Sequence, residues 1–281
     1  PDRVEVLASG NIIKNVKSVI VPNTNGMKGI KAAAAVGIIA GDPDKELQVI
    51  ANVTAEQKAE TERFLATTPI TVKHVNCQEQ LDVTIIEYKG EHHADVRISG
   101  FHTNIVTIQR DDEVLFRCES MNRPNQKLTD RSCLSIAGIV DFADSLDIND
   151  IKDIIGRQLA YNKAISDEGL KNNWGANIGK TLLKEYGNDV KIRAKARAAA
   201  GSDARMNGCE LPVVINSGSG NQGLTVSMPV LTYAEEYNID EDRLYRAVVV
   251  SNLTAIHQKT RIGRLSAYCG AVSAGCAAGV G

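Results

Sequence analysis

Four short runs decide how the chain folds: Val83-Thr-Ile-Ile-Glu-Tyr88, Ala94-Asp-Val-Arg-Ile-Ser99, Asn104-Ile-Val-Thr-Ile-Gln-Arg110 and Glu113-Val-Leu-Phe-Arg-Cys118. The first three carry two or more β-branched residues each and the fourth Val114 and Phe116, and the polar pair Asp111-Asp112 separates the last two. Closely spaced runs of this kind, bounded by turn formers, predict strands that fold back one after another as an antiparallel meander.

Working outward, Val4 to Leu7 and Val16 to Val21 also read as strands, the second running into the turn formers Pro22-Asn-Thr-Asn-Gly26. Ile30 to Ala40 is Ala-rich and predicts a closely packed helix ended by Gly41-Asp-Pro43. Thr54-Ala-Glu-Gln57 is a capping-box pattern for a helix to about Leu65, stopped by Pro69. After the polar linker Asn122-Arg-Pro-Asn-Gln126 the pattern becomes helical. Ile151, Ile154, Ile155, Leu159 and Ile165 follow helical spacing behind Asn149 as N-cap, and Leu244 to Gln258 predicts a further helix after Asp240-Glu-Asp242. The chain therefore reads as α+β: a mixed α/β region with antiparallel strands over residues 1–125, then a mostly helical region over 126–281.

Composition narrows the function classes. The 281 residues carry 32 Lys+Arg against 34 Asp+Glu, a formal charge of −2, which argues against a nucleic-acid partner. With 43% apolar and 23% charged residues the chain is globular rather than disordered, collagenous or coiled-coil. No apolar run approaches the roughly 20 residues of a membrane-spanning helix, so no membrane partner is expected. Six cysteines are too sparse for a disulfide-stapled scaffold, and a reducing cytoplasm is the expected setting. The five histidines lack the spacing of a zinc site. Cys269 and Cys276 would face the same way from one helix, a pattern open both to a metal and to ordinary buried thiols. The chain starts at Pro1 rather than Met and stops inside the Ala/Gly tract Ala267 to Gly281, so the natural protein is expected to continue at both ends. That tract and Ala32 to Ala35 predict close helix packing, within one chain or between the copies of a homo-oligomer.

Several stretches invite a chemical reading. Gly175-Ala-Asn-Ile-Gly-Lys-Thr181 has three residues between its glycines where a phosphate-binding P-loop has four, and no strand precedes it. Trp174, the single tryptophan, reads as a core or interface aromatic. Lys191, Arg193, Lys195 and Arg197 alternate as on a solvated strand face. Ser202-Asp-Ala-Arg-Met206 and Asn216-Ser-Gly-Ser-Gly-Asn-Gln-Gly223 are the most unusual. The second reads as a loop whose backbone N–H groups would receive a carboxylate or phosphate. Its side chains Asn216, Ser217, Ser219, Asn221 and Gln222 would hydrogen-bond the polar groups of an amino acid. A plain surface turn and a dinucleotide fingerprint, Gly218-Ser-Gly220-Asn-Gln-Gly223, are the competing readings, the latter in a poor βαβ context. Asp203 and Arg205 are either a surface pair or, through Arg205, a two-point clamp on a carboxylate. Gly100-Phe-His-Thr-Asn104 sets His102, Thr103 and Asn104 together at the start of a strand.

Four of these stretches, Ser202 to Met206, Asn216 to Gly223, Gly100-Phe-His-Thr-Asn-Ile105 and Arg264-Leu-Ser-Ala-Tyr-Cys269, resemble in order and spacing the serine-dehydratase-like α-subunit family, nearest its cysteine desulfidase branch. The resemblance implies an iron–sulfur lyase that works without pyridoxal phosphate and eliminates sulfide from L-cysteine to give pyruvate and ammonia. L-Serine dehydration, or amino-acid binding without a cluster, are its alternatives. It implies a [4Fe–4S] cluster on three cysteines with one iron open to substrate. Cys269 matches the middle ligand, the other two lie in segments before Pro1 and after Gly281, and Cys276 matches none. It also implies an amino-acid site built from Asp203, Arg205 and the stretch from Asn216 through Ser217, Gly218, Ser219, Gly220 and Asn221 to Gln222. Thr103 and Asn104 would join that site, with His102 or a residue outside these 281 as the base.

Overall fold

The computed structural model describes residues 1–118, 129–260, 262 and 270–281. The chain forms two compact units, Pro1–Leu128 and Thr129–Gly281. Together they make an α+β protein, with a six-stranded sheet in the first unit and helices in the second.

The sheet of the first unit has the order β2-β1-β3-β4-β5-β6, with β1 Arg3–Ala8, β2 Ile70–His74, β3 Asp82–Lys89, β4 His92–Ser99, β5 Ile105–Arg110 and β6 Glu113–Arg117. The meander from β3 to β6 is antiparallel throughout, as the alternation of its residues dictates. Gly90, with φ +60°, and Asp111, with φ +52°, open the tight turns between β3 and β4 and between β5 and β6. Strand β2 is new: it pairs in parallel with β1 across an intervening helical crossover, so the sheet is mixed. The stretch from Val16 to Val21 is not a strand. Val16 closes helix α1, Gly10–Val16, and Ile20 makes only an isolated bridge to Lys28.

Helices α2, Gly29–Ala40, and α3, Ala55–Thr67, cover one face of the sheet through Ala34, Ala35 and Phe64 against Val4, Val6 and Ile70. Removing each of the side chains of Val4, Val6 and Ile70 from water contributes about 1.5–3 kcal/mol. The capping box of α3 is formed as the sequence indicates: Gln57 N–H donates to Thr54 Oγ1 at 3.2 Å and Thr54 N–H to Gln57 Oε1 at 3.0 Å.

The second unit contains α4 Ile136–Ser145, α5 Ile148–Lys171, α6 Ile178–Tyr186, α7 Val190–Met206, α8 Gly220–Tyr237, α9 Glu241–Thr260 and α10 Ala271–Val280. The cap of α5 is Asp147, whose carboxylate accepts the N–H of Asn149 at 2.9 Å, rather than Asn149 itself. Helix α8 is the central one. Leu224, Val226 and Met228 are fully buried on it, and α5, α7, α9 and α10 pack around it. The basic alternation from Lys191 to Arg197 lies on α7 and not on a strand. Its last member is buried, donating to Glu235 at 2.6 Å and to Thr232 Oγ1 at 3.2 Å. Trp174 packs against the core of this unit, its indole N–H donating to Glu168 at 3.1 Å. Among the described residues no helix is long and apolar enough to cross a membrane.

Candidate active site

The glycine-rich stretch divides into a turn and a helix start. Asn216 to Ser219 close a tight turn, with Ser219 N–H donating to Asn216 O at 3.0 Å and Asn216 N–H to Ser219 O at 3.1 Å. Ser217 and Gly218 carry the positive φ values, +49° and +81°, that the turn requires. Gly220 to Gly223 are no loop: they are the first turn of α8, with Ser219 as N-cap. Their glycines serve close approach. A Cβ at Gly223 would stand 1.9 Å from Val214 O, and one at Gly220 would stand 2.3 Å from Arg205 Nε.

Arg205, near the end of α7, therefore lies directly along the first turn of α8. Its Nη1 donates to Asn221 Oδ1 at 3.1 Å, and it meets no carboxylate among the described residues. Burial pushes its guanidinium down from the ordinary value. Asp203 is turned elsewhere: its Oδ2 accepts the N–H of Ile178 at 2.7 Å and so caps α6, whose own Asn177 gives no side-chain cap. The two residues form no surface pair. At the head of α8 the leading N–H groups lack intrahelical acceptors and the helix dipole is positive. Beside them stand an arginine without a counter-ion among the described residues, the hydroxyls of Ser217 and Ser219, and the amides of Asn221 and Gln222. Gln222 is 6% exposed, and its Oε1 is buried without a hydrogen-bond partner among the described residues. Its carboxamide faces Gly270, where a Cβ would approach to 2.3 Å.

Beneath the turn runs a buried amide network that the sequence reading missed. Asn216 Nδ2 donates to Asn252 Oδ1 at 2.9 Å, and Asn252 and Gln158 exchange a reciprocal pair at 2.7 and 3.1 Å. Asn162 holds Val214 by accepting its N–H at 2.8 Å and donates to Ser227 Oγ at 3.1 Å. The signal lay in phase: Gln158 and Asn162 fall on the same buried stripe of α5 as Ile155, Leu159 and Ile165. A polar residue in the core phase of a helix needs a polar partner.

In the first unit, His102 and Thr103 are exposed at the tip of the turn that follows Gly100, whose φ is +76°. Asn104 is buried, its Nδ2 donating to Ser99 O at 2.8 Å while its Oδ1 has no partner among the described residues. Behind that turn Asp82 accepts from Arg97 Nη2 and from Ser99 Oγ, both at 2.7 Å.

Cys269, with the stretch from Arg264, lies outside the described residues. Cys276 is exposed on α10, which begins only at Ala271. Burial raises the thiols of Cys77 and Cys209 above their ordinary values, which disfavours the ligating thiolate. Among the described residues no three His, Cys, Asp or Glu come together to hold a metal ion, so these residues do not by themselves build an iron–sulfur site. The glycine stretch of α6 is likewise no phosphate loop, since Gly179 lets α6 press onto Ala196 O of α7. With helices alone around Gly218 to Gly223, the second unit lacks, among the described residues, the βαβ frame of a dinucleotide site.

A helical unit that presents a capped helix start, a glycine turn and an uncompensated arginine is suited to hold a small organic anion. The family profile described as serine dehydratase alpha chain matches residues 44–281, and the chain belongs to that family. It is 53% identical over 281 residues to a UPF0597 protein of Desulfitobacterium hafniense (strain Y51), covering 100% of this chain and 65% of that protein. It is 51% identical over 281 residues to one of Lachnoclostridium phytofermentans, covering 100% and 67%. It is also 38% identical over 289 residues to the UPF0597 protein YhaM of Escherichia coli (strain SMS-3-5 / SECEC), covering 100% and 66%. The chain thus spans 65% of the length of the first of these relatives and about two thirds of the others. No solved structure matches it.

Proposed function

We propose that the protein is a lyase that removes the β-substituent of a small amino acid, taking L-cysteine to pyruvate, ammonia and sulfide. The observation that carries this reading is Arg205: a partly buried guanidinium that meets no carboxylate among the described residues, laid along the start of α8, in a chain of the serine dehydratase alpha chain family. In water-poor surroundings that cation favours an incoming carboxylate over solvent. The substrate carboxylate would accept from Arg205 and the leading N–H groups of α8, and the substrate's amino group would meet Ser217 and the Asn221 amide. Loss of the Cα proton places negative charge next to the bound carboxylate, where the same cation and dipole stabilise it. The electron pair left on Cα forms the Cα–Cβ double bond, the C–S bond breaks, and sulfur leaves with its pair. The aminoacrylate takes up a proton to become an imine, and water hydrolyses it to pyruvate and ammonia.

The acceptor of the Cα proton is tested separately: His102→Gln abolishes turnover if this candidate read from the sequence is the base, and spares it if the base is a residue outside these 281. A [4Fe–4S] cluster with Cys269 among its ligands belongs to the proposal on the family resemblance, its other two cysteines coming from outside these residues. L-Serine is the second substrate reading, favoured by the family's description. The test is anaerobic reconstitution of the full-length protein with iron and sulfide, followed by assay of pyruvate release from L-cysteine and L-serine, with Cys269→Ala as control. Turnover of L-cysteine that disappears in the control is the expected result. An inactive protein that still binds L-cysteine by calorimetry would replace the lyase by an amino-acid-binding protein.

A further inference from the structure

The second unit carries two surface features that the proposed chemistry does not use, and they complement each other. The first is an open groove of about 870 Å³ between α7, α8, α9 and α10. Its floor is apolar, with Tyr233, Leu244 and Ala278 among its lining, and its rim carries Lys191 and Lys195, one turn apart on α7, and Arg243 on α9. All three cations are exposed, and none forms an ion pair among the described residues. The second feature is helix α4. It buries only Ile139 and Ala143, leaving Ile136 at 43% and Val140 at 39% exposed. Ile136, Val140 and Asp144 follow one another at four-residue spacing and so form a single ridge, with Asp141 exposed beside it. An apolar ridge ending in carboxylates matches an apolar trough edged with cations in both hydrophobicity and sign.

We propose that α4 of one copy of this chain seats in the groove of a second copy, and that the exchange is reciprocal. The placement of the two features within the unit favours a closed pair. Arg246 on α9 holds the C-terminal carbonyls of α4, donating to Ala143 O at 2.5 Å and to Leu146 O at 3.1 Å. Arg243, at the groove rim, lies one turn away on the same helix. Helix and groove are thus neighbours across α9, and a two-fold axis beside α9 presents each α4 to its partner's groove, as a self-complementary interface requires. The charges set the register and the apolar contact holds it.

Sedimentation velocity of the full-length protein tests this with two charge-reversed variants, Lys191→Glu/Lys195→Glu and Asp141→Lys/Asp144→Lys. All four residues are exposed, and lysine in the last turn of α4 suits its dipole, so both variants are expected to melt as the wild type does. The wild type should sediment as a dimer, and each variant alone should self-associate more than about tenfold more weakly. Mixed together, the variants should recover the dimer, because in the mixed pair the acidic, reversed groove meets the basic, reversed helix and the unreversed groove meets the unreversed helix. A monomeric wild type, dimers indifferent to reversal, or a mixture that stays monomeric would each overturn the proposal. None of these outcomes depends on catalysis.

Discussion

Each unit presents a turn anchored by a buried asparagine, and the two anchors are built differently. Asn104, 2% exposed, is tied by one bond from its Nδ2 and leaves its Oδ1 unpartnered among the described residues, with the Asp82, Arg97 and Ser99 cluster behind it supplied by neighbouring strands. Asn216, 5% exposed, is bonded to Asn252 and through it to Gln158, and its Oδ1 accepts from Ser217 Oγ at 2.9 Å. The second turn is fixed by side chains from helices far apart in sequence. A fully satisfied buried network holds a polar site more rigidly than a single bond does, which suits a turn that is to meet a ligand without rearranging.

Breaking the second turn should cost more than breaking the first. The largest effect is expected at Gly223, where even an alanine Cβ would fall 1.9 Å from the Val214 carbonyl. Gly223→Ala should destabilise the second unit by about 4 kcal/mol in urea unfolding, a cost reserved for backbone clashes of this kind. Gly218→Ala, strained in φ but facing open space, should cost only about 1 kcal/mol. Next comes the network: Asn252→Leu strands the amides of Gln158 and Asn216 and should cost about 3 kcal/mol, whereas Asn104→Ala removes one bond and should cost about 1 kcal/mol beyond the lost packing. Equal penalties at the two asparagines would erase the contrast.

Arg205→Lys keeps the charge and loses the planar fork. It should lower kcat/KM for L-cysteine by about 100-fold with the melting temperature nearly unchanged. A loss of stability matching the loss of activity would make Arg205 structural. The smallest effect belongs to the first unit. His93 N–H and the His92 ring, both bonded to Asp111, hold its carboxyl below the ordinary aspartate value. A lowered folded-state value means that the contribution is complete above the unfolded value and is lost as pH falls through the folded one. Asp111→Asn, which tolerates the left-handed backbone there, should therefore flatten the acid limb of the stability curve by slightly lowering stability at neutral pH while leaving the acid end little changed.

Much of this architecture could be read from local pattern. The β3 to β6 meander, the Thr54 capping box and the helices at Ile30 and Leu244 all announce themselves within a dozen residues. What escaped was non-local. Strand β2, Ile-Thr-Val-Lys-His, is short and gains its place only by pairing with β1 more than sixty residues earlier. Val16 to Val21 has strand composition and no partner for a ladder. The alternation of Lys191 to Arg197 looked like a strand face because the charges stand at every second position, yet the alanines between them favour a helix, and Glu235 and Thr232 take Arg197 inside. In the candidate site Arg205 and the glycines were legible by residue type. The role of those glycines was not: Gly220 and Gly223 read as loop flexibility and are in fact places where backbone and arginine touch α8. The network of Asn252, Gln158 and Asn162 went unread because its partners meet only in the fold.

The lone tryptophan has an experimental use. Trp174 packs within the helical unit, with its indole N–H tied to Glu168, and the first unit has none. Emission excited at the red edge, where tyrosine scarcely absorbs, is therefore an intrinsic fluorophore signal for one half of the molecule. Tracked against far-ultraviolet dichroism, which sums both halves, it separates two unfolding transitions without any label, and the offset between their midpoints measures how strongly the halves cooperate.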